Sequence, residues 1–277
     1  MQTLYKFVGT RQAVQAIASG SLKFAKIQEL NDPSELVPLM NRDAVRSSLT
    51  AIRKQGYSAT QFGWLSCQEA TLRLLSPETR VLSRPSTIEL ANRTLALPVY
   101  DNMDLMERQL LMTIDLIRSR VGILSLTERF DSLPMWAHYA AQAKGYVVRF
   151  AHLAKEFPGD ATGSLNGLMP VQYVQDLVGM THDPITQNNL FFSKFNDWGY
   201  EREWRIVTAL SDCRSTPDGK MHLRSVRPLV VTGVICGWNV PDEEIRSLET
   251  ELLRVNPSVQ IIVASLYIGR VELTLRN

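Results

Sequence analysis

Apolar and polar positions alternate with changing period along this chain, and the changes mark its elements. Leu4 to Val8 reads as a first strand. Thr10 stands as a helix N-cap, Val14, Ile17 and Ala18 form one apolar stripe behind it, and Gly20 stops the helix. Leu22-Lys23-Phe24 is a second extended piece. Asn31-Asp32-Pro33 signals a turn, with Asp32 placed to cap a helix that begins at Pro33. From residue 36 to about 120 the pattern predicts mostly helix, broken at Gly56, Gly63, Pro77, Pro85 and Pro98. Its clearest member is 103–118, where Met106, Leu110, Ile114 and Ile117 share a face and Asp101 or Asn102 can cap.

The second half is richer in strand signals. Val121 to Thr127 puts Ser125 and Thr127 on one face, Leu124 and Leu126 on the other. A short helix carries Met135, Trp136 and Tyr139, with Pro134 in its first turn and Ser132 as a cap. Residues 145–150 read as a strand, 158–165 as a loop, 169–174 as a strand, 184–195 as a helix and 203–209 as a strand. Pro217-Asp218-Gly219 marks a turn, Val230 to Cys236 a very apolar strand ending at Gly237. Residues 241–254 form a helix whose Asp242, Glu243 and Glu244 suit the positive end of its dipole, followed by strands at 259–264 and 267–275. Strands and short helices do not alternate as regular βαβ units. The expectation is a single α+β domain over 1–277 with a mixed, mostly antiparallel sheet and a helical insertion at 36–120.

Composition narrows the function only by exclusion. A formal net charge of +2 is too small for a nucleic-acid or membrane footprint. Cys67, Cys213 and Cys236 include no CxxC, and His138, His152, His182 and His222 show no ligand spacing, which speaks against a structural zinc site. With no signal-peptide pattern and no membrane-length apolar run, the expected location is cytoplasmic, with no membrane partner. Neither GxGxxG nor GxxxxGK[ST] occurs, so the two common phosphate loops are excluded.

The most informative stretch is Trp198 to Val207. A loop feeds a strand there, and period-two alternation turns Glu201, Glu203 and Arg205 one way, Arg202, Trp204 and Ile206 the other. Two adjacent carboxylates repel, so they need cations or a positive ligand beside them, unless the face is simply solvated. Lys6, Ser125 with Thr127, and Glu201 with Glu203 each place polar groups among apolar strand neighbours. A cation, a hydroxyl pair and paired acids could together hold a polyphosphate-bearing nucleotide and stabilise an oxocarbenium-like centre. Trp136, Tyr139 and Trp198 could serve as stacking platforms, and as core residues equally well. His138 lies among them.

The segments Leu4-Tyr5-Lys6-Phe7, Asn31-Asp32-Pro33-Ser34-Glu35, Met135-Trp136-Ala137-His138-Tyr139, Lys144-Gly145, Lys194, Trp198 and Tyr200-Glu201-Arg202-Glu203-Trp204-Arg205 resemble, in order, the motifs of a widespread bacterial domain of unknown function. Ser34 stands where that family usually has Phe, and Ala143 where it often has His. More distantly, Tyr5-Lys6, Ser125-Leu126-Thr127 and Glu201-Arg202-Glu203 are similar in order to the Arg, Ser-Thr-Ser and Glu-x-Glu motifs of ADP-ribosyltransferases. That resemblance implies an ADP-ribosyltransferase-like fold and NAD as cofactor, in a toxin or defence effector that modifies a protein or nucleic-acid acceptor. Glu203 would be the catalytic carboxylate and Glu201 its helper at the acceptor. Tyr5, Lys6, Ser125, Thr127, Trp136, His138 and Tyr139 would line the cofactor. Lys6, in place of Arg, lacks the bidentate fork for phosphate. Two other readings use the same residues. One is a nucleotide- or peptide-binding module without turnover. The other is a metal-dependent nuclease built on Asp32, Glu35, Lys194, Glu201 and Glu203.

Overall fold

A computed structural model describes residues 2–32, 42–55, 102–159, 167–175 and 191–276. In chain order its elements are β1 (Thr3–Val8), α1 (Arg11–Ala18), β2 (Ser21–Lys26), α2 (Arg42–Gln55), α3 (Met103–Arg120), β3 (Val121–Thr127), α4 (Leu133–Tyr139) and β4 (Tyr146–Ala151). There follow β5 (Leu168–Pro170), β6 (Gln172–Val174), β7 (Ser193–Phe195), β8 (Glu203–Ala209), β9 (Arg214–Ser215), β10 (His222–Ser225), β11 (Val231–Cys236), α5 (Asp242–Val255), β12 (Gln260–Tyr267) and β13 (Arg270–Leu275). The fold is α+β, as its strand-rich second half predicts. An 11-stranded open sheet runs β13-β12-β11-β4-β1-β3-β2-β10-β9, with β8 joined to β3 and β5. Its described pairings are antiparallel except β11 with β12, which α5 connects. A separate parallel pair joins β6 to β7.

Period-two alternation explains the layers. Leu4, Leu124, Leu126, Val148, Phe150 and Val234 face one side, where Val14 and Ile17 of α1 and Ile245, Leu248 and Leu252 of α5 cover them. Phe7, Val147, Ile235 and Ile262 face the other side, under Met135 and Trp136 of α4. Farther along that second side, Val121, Ile123 and Val207 pack with Ile27 and Phe192. The expected cap at Thr10 is made, and of the two candidates for α3 the cap is Asn102: their side-chain oxygens accept from Ala13 N (3.3 Å) and Leu105 N (3.1 Å).

The sheet forks at β3. One edge of β3 meets β8 along its whole length. Its other edge meets β2 at Gly122 and Ile123, then β1 only at Thr127. Between those pairings the Ser125 carbonyl has no strand opposite it, and a buried carbonyl needs a donor. The Lys6 ammonium supplies it, at 3.0 Å from Ser125 O. This corrects the reading of Lys6 as a phosphate contact. Lys6 leaves β1 on the side of Leu4 and Val8, opposite Tyr5 and Phe7, and closes the fork. Burial lowers its pKa to about 8, despite the opposing pull of Glu203.

Behind α4 the chain makes an unusual left-handed turn. Ala141, Gln142 and Ala143 have φ of 48°, 57° and 61°. For residues with a Cβ this conformation costs roughly 1–2 kcal/mol each. The turn is held from outside: Gly145 N donates to Ala140 O (2.9 Å), Asn239 N to Ala143 O (3.0 Å) and the Asn239 side chain to Gln142 O (3.0 Å). Gln142 is exposed, so Gln142→Gly is expected to raise stability by about 0.5–1 kcal/mol in urea denaturation. A loss of stability would show that the turn is not strained.

Several expectations change in the structure. The strand expected at 169–174 is two, because Pro170 has no N–H to continue the ladder and Val171 N turns to Glu203 O (2.9 Å). Ser193–Phe195, expected inside a helix at 184–195, is a strand that pairs with Gln172–Val174; residues 184–190 lie outside the described residues. Ser132 stands at the start of α4, but its hydroxyl makes no capping bond and has no partner among the described residues. The helical reading of 36–120 is met at α2 and α3. Pro33, Glu35 and the breaks from Gly56 to Pro98 lie outside the described residues.

Candidate functional site

Four buried ionisable side chains meet on the second side of the sheet. Alternation along β8 puts Glu203 and Arg205 on the side of Val207, as their spacing predicts. Glu201 arrives differently from the expectation. It is not a strand residue but the last of a 3-10 turn, Asn196–Glu201, after which Arg202 takes a left-handed conformation (φ 42°). Lys194 comes from β7. All four side chains are at most 5% exposed.

Their bonds form one connected set. Lys194 Nζ donates to Glu201 Oε2 (2.7 Å) and reaches Glu203 Oε2 at 3.4 Å. Arg205 grips Glu203 with both prongs, Nε to Oε1 (2.7 Å) and Nη2 to Oε2 (2.8 Å), and its Nη1 donates to Phe191 O (2.8 Å). The Tyr139 hydroxyl donates to Glu201 Oε1 (2.6 Å). Ser125, on the same face of the neighbouring strand, also favours the Glu203 carboxylate. Two acids and two bases balance, so the cations that the acid pair requires come from the protein itself.

Electrostatics follow from that balance. Burial alone would raise the Glu203 pKa, but the guanidinium of Arg205, then Lys194 and Ser125, overcome it and hold the carboxyl below its ordinary value of 4.5. Glu203 is therefore anionic at any physiological pH. A carboxyl with a lower pKa in the folded chain stabilises the fold fully above about pH 4.5, and that contribution is lost as the pH falls further. Replacing Glu203 by Gln is expected to flatten the acid limb of the stability–pH curve below that value. An unchanged acid limb in urea titrations would contradict the assignment.

Half-buried aromatic side chains surround the cluster. Burial and then Glu201 raise the Tyr139 pKa well above the ordinary range. The Tyr173 hydroxyl accepts from Glu203 N (2.8 Å), and burial pushes its pKa up to about 12. Lys194 Nζ sits 4.5 Å from the Trp198 ring centre, and Trp198 lies 6.1 Å from Tyr200. Asn31, in the segment resembling a motif, acts against the rise at Tyr139 and so bears on the cluster at one remove.

The structure thus gathers Glu201, Glu203, Ser125 and Tyr139 in one place. Other candidates are placed elsewhere. Tyr5 is half-buried, with its ring against Phe130 at 5.5 Å. Thr127 is almost fully buried and donates to Glu201 O (2.5 Å) while accepting from Arg129 N (3.0 Å). It fixes the Glu-x-Glu turn and presents no hydroxyl to a ligand. Trp136 is 1% exposed, packs on Phe7 and Trp238, and donates its indole N–H to Phe130 O (2.7 Å), so it is a core residue rather than a stacking platform. His138 is exposed, 6.3 Å from the Tyr139 ring. Tyr173, Tyr200 and Asn31 were not singled out from sequence as site members, and Arg205 was noted only for its face. The Arg205 signal was present, two residues beyond Glu203 on one strand face. The Tyr173 signal was not, because it depends on β6 pairing with β7.

Among the described residues no three His, Cys, Asp or Glu side chains are grouped to hold a metal ion. Glu201 and Glu203 are already neutralised by Lys194 and Arg205, which takes from the nuclease reading its two best oxygen ligands. No helix among the described residues is long and apolar enough to cross a membrane. Comparison with known proteins gives no match to a family model, to a curated protein or to a solved structure.

Proposed function

We propose that this chain is an ADP-ribosyltransferase-like enzyme that binds NAD over the Glu201–Glu203 cluster, and that it belongs to the bacterial family of unknown function whose motifs it resembles. The supporting observation is that Ser125 of β3 and Glu203 of β8 lie on one face of paired strands, where Ser125 helps to lower the Glu203 pKa, so that two of the three segments of the resemblance meet at one carboxylate. An anionic Glu203 suits the chemistry, since positive charge develops at the ribose as nicotinamide leaves. The C–N bond to nicotinamide breaks with both electrons going to the ring nitrogen. The ribose carbon then bonds to an acceptor nucleophile, whose proton passes to solvent. Lys194, at 3.4 Å from Glu203, is the partner that can yield when a ribose hydroxyl arrives. Tyr139, Trp198 and Tyr200 offer half-buried rings for stacking. The acceptor is a protein or nucleic acid, as in a toxin or defence effector acting in the cytoplasm.

A second reading has its own observation. Both Glu203 oxygens are gripped by Arg205, which favours a nucleotide- or peptide-binding module without turnover. Incubation with NAD labelled on its adenylate half separates the two. Label transfer to an acceptor supports the enzyme. Binding in calorimetry without transfer or nicotinamide release supports the module. Absence of both overturns each of them.

A further inference from the structure

The large sheet ends at β5, of 3 residues, on its β8 branch, and the two ends of its main run are built differently. One edge, β9, has 2 residues, and a short edge strand offers little template to another chain. The other edge, β13, has 6 residues and pairs with β12 in unbroken register from Tyr267–Arg270 to Ile262–Leu275. The turn between them, Ile268-Gly269, has φ of 46° and 73°, the two left-handed residues of a tight hairpin. No proline or bulge interrupts β13, and its charges, Arg270 and Glu272, stand on one face only.

Hydrogen-bond direction along β13 can be read from one contact. Arg276 N donates to Ile261 O at 3.0 Å. In an antiparallel ladder the residues that bond inward alternate with those that point away. Arg270, Glu272, Thr274 and Arg276 therefore turn their main chain to β12, while Val271, Leu273 and Leu275 turn theirs outward. Among the described residues none of these three has a main-chain partner on that side. The same three side chains share a face with Leu266 on β12. Leu266, Leu273 and Leu275 are 47%, 37% and 50% exposed, so both the edge and its apolar face are open.

The geometry points to a second copy of this chain as the occupant, joined antiparallel through β13 about a two-fold axis at Leu273 so that one sheet runs across both copies. The match is internal to the strand. Leu273 falls opposite Leu273, and Val271 opposite Leu275 of the second copy. In each such pair the outward N–H and C=O groups exchange two hydrogen bonds, which is the isologous arrangement of a symmetric dimer. On the apolar face the leucines and valine meet one another. On the polar face Glu272 lies opposite Thr274 and diagonal to Arg276 of the second copy. Arg270 falls opposite Arg276, whose charge Asp242 (2.8 Å) and Glu249 (3.4 Å) already offset. Shifting the register by one residue would set apolar against polar side chains, a two-residue shift that centres Glu272 would oppose like charges, and one that centres Thr274 would bring Glu272 opposite Arg276 but trade the Val271–Leu275 pairs for Val271 opposite Asn277. This inference does not depend on the proposed catalytic role.

Sedimentation equilibrium of the full chain tests it. The expected mass rises from 31.3 kDa towards twice that value as concentration is raised to about 100 μM, the range of a modest interface. Leu273→Pro removes an outward N–H and an apolar contact but no bond to β12, and is expected to weaken association at least about 100-fold. Leu273→Lys, which guards an edge with charge, should do the same if the proline variant does not fold. A wild-type chain that stays at 31.3 kDa throughout overturns the inference. So does either variant, folded by circular dichroism, associating as tightly as wild type.

Discussion

Replacing Arg205 by leucine is expected to cost the fold about 3–5 kcal/mol, the usual loss when one partner of a buried ion pair is removed. Arg205 is 1% exposed, bonds both oxygens of Glu203 and also donates to Phe191 O, so leucine would leave a buried carboxylate facing Lys194 at 3.4 Å as its remaining cation among the described residues. The double variant Glu203→Leu/Arg205→Leu removes one charge of each sign. Lys194 then keeps Glu201 at 2.7 Å, and the cluster stays neutral. The double variant is therefore expected to be more stable than Arg205→Leu alone, although it carries one more substitution. Urea denaturation of the wild type and the three variants measures this as a double-mutant cycle. Equal or additive losses would mean that Glu203 and Arg205 do not act as a pair.

Glu203→Gln is expected to lower NAD turnover by about 100- to 1000-fold, comparable to removing a preorganised electrostatic contact from a transition state. Gln is nearly isosteric and keeps one acceptor for Arg205, so the loss would come from the missing charge. Ser125→Ala is the companion variant. Ser125 is half-buried and favours the Glu203 carboxylate, so about a 10-fold loss is expected with the fold intact. The binding-module reading predicts something else: Glu203→Gln would change NAD affinity and there would be no turnover to lose. Circular dichroism of each variant separates a lost charge from a lost fold.

Local signals in the sequence located the elements that repeat with a clear period. Val121–Thr127 and Glu203–Ala209 are buried on both faces, yet successive side chains of a strand point to opposite sides, so the shared face of Ser125, Glu203 and Arg205 follows from a two-residue repeat once the strands are assigned. Thr10 is legible as a cap, and the α3 cap as Asp101 or Asn102, because a single side chain does the work. What escaped depends on partners far away in sequence. Lys6 sits on an alternating strand like its neighbours. Only the fork between β1 and β2 on β3 shows why an ammonium is needed at Ser125 O. Ser193–Phe195 follows residues with a helical pattern, yet it is a strand because β6 lies beside it. Trp136 has the composition of a ligand platform, and its burial under Trp238 and Phe7 is a tertiary fact. The 3-10 turn that carries Glu201 hid behind a loop-like aromatic and glycine composition. Alternation therefore assigned Glu201 to the correct side of the sheet for the wrong local reason.

The most direct measurement is nicotinamide release from NAD by the wild-type chain and by Glu203→Gln, followed by chromatography at neutral pH. The account predicts release by the wild type and almost none by the variant, with both proteins folded. Equal release by the two, or none by a wild-type chain that also fails to bind NAD, would contradict it.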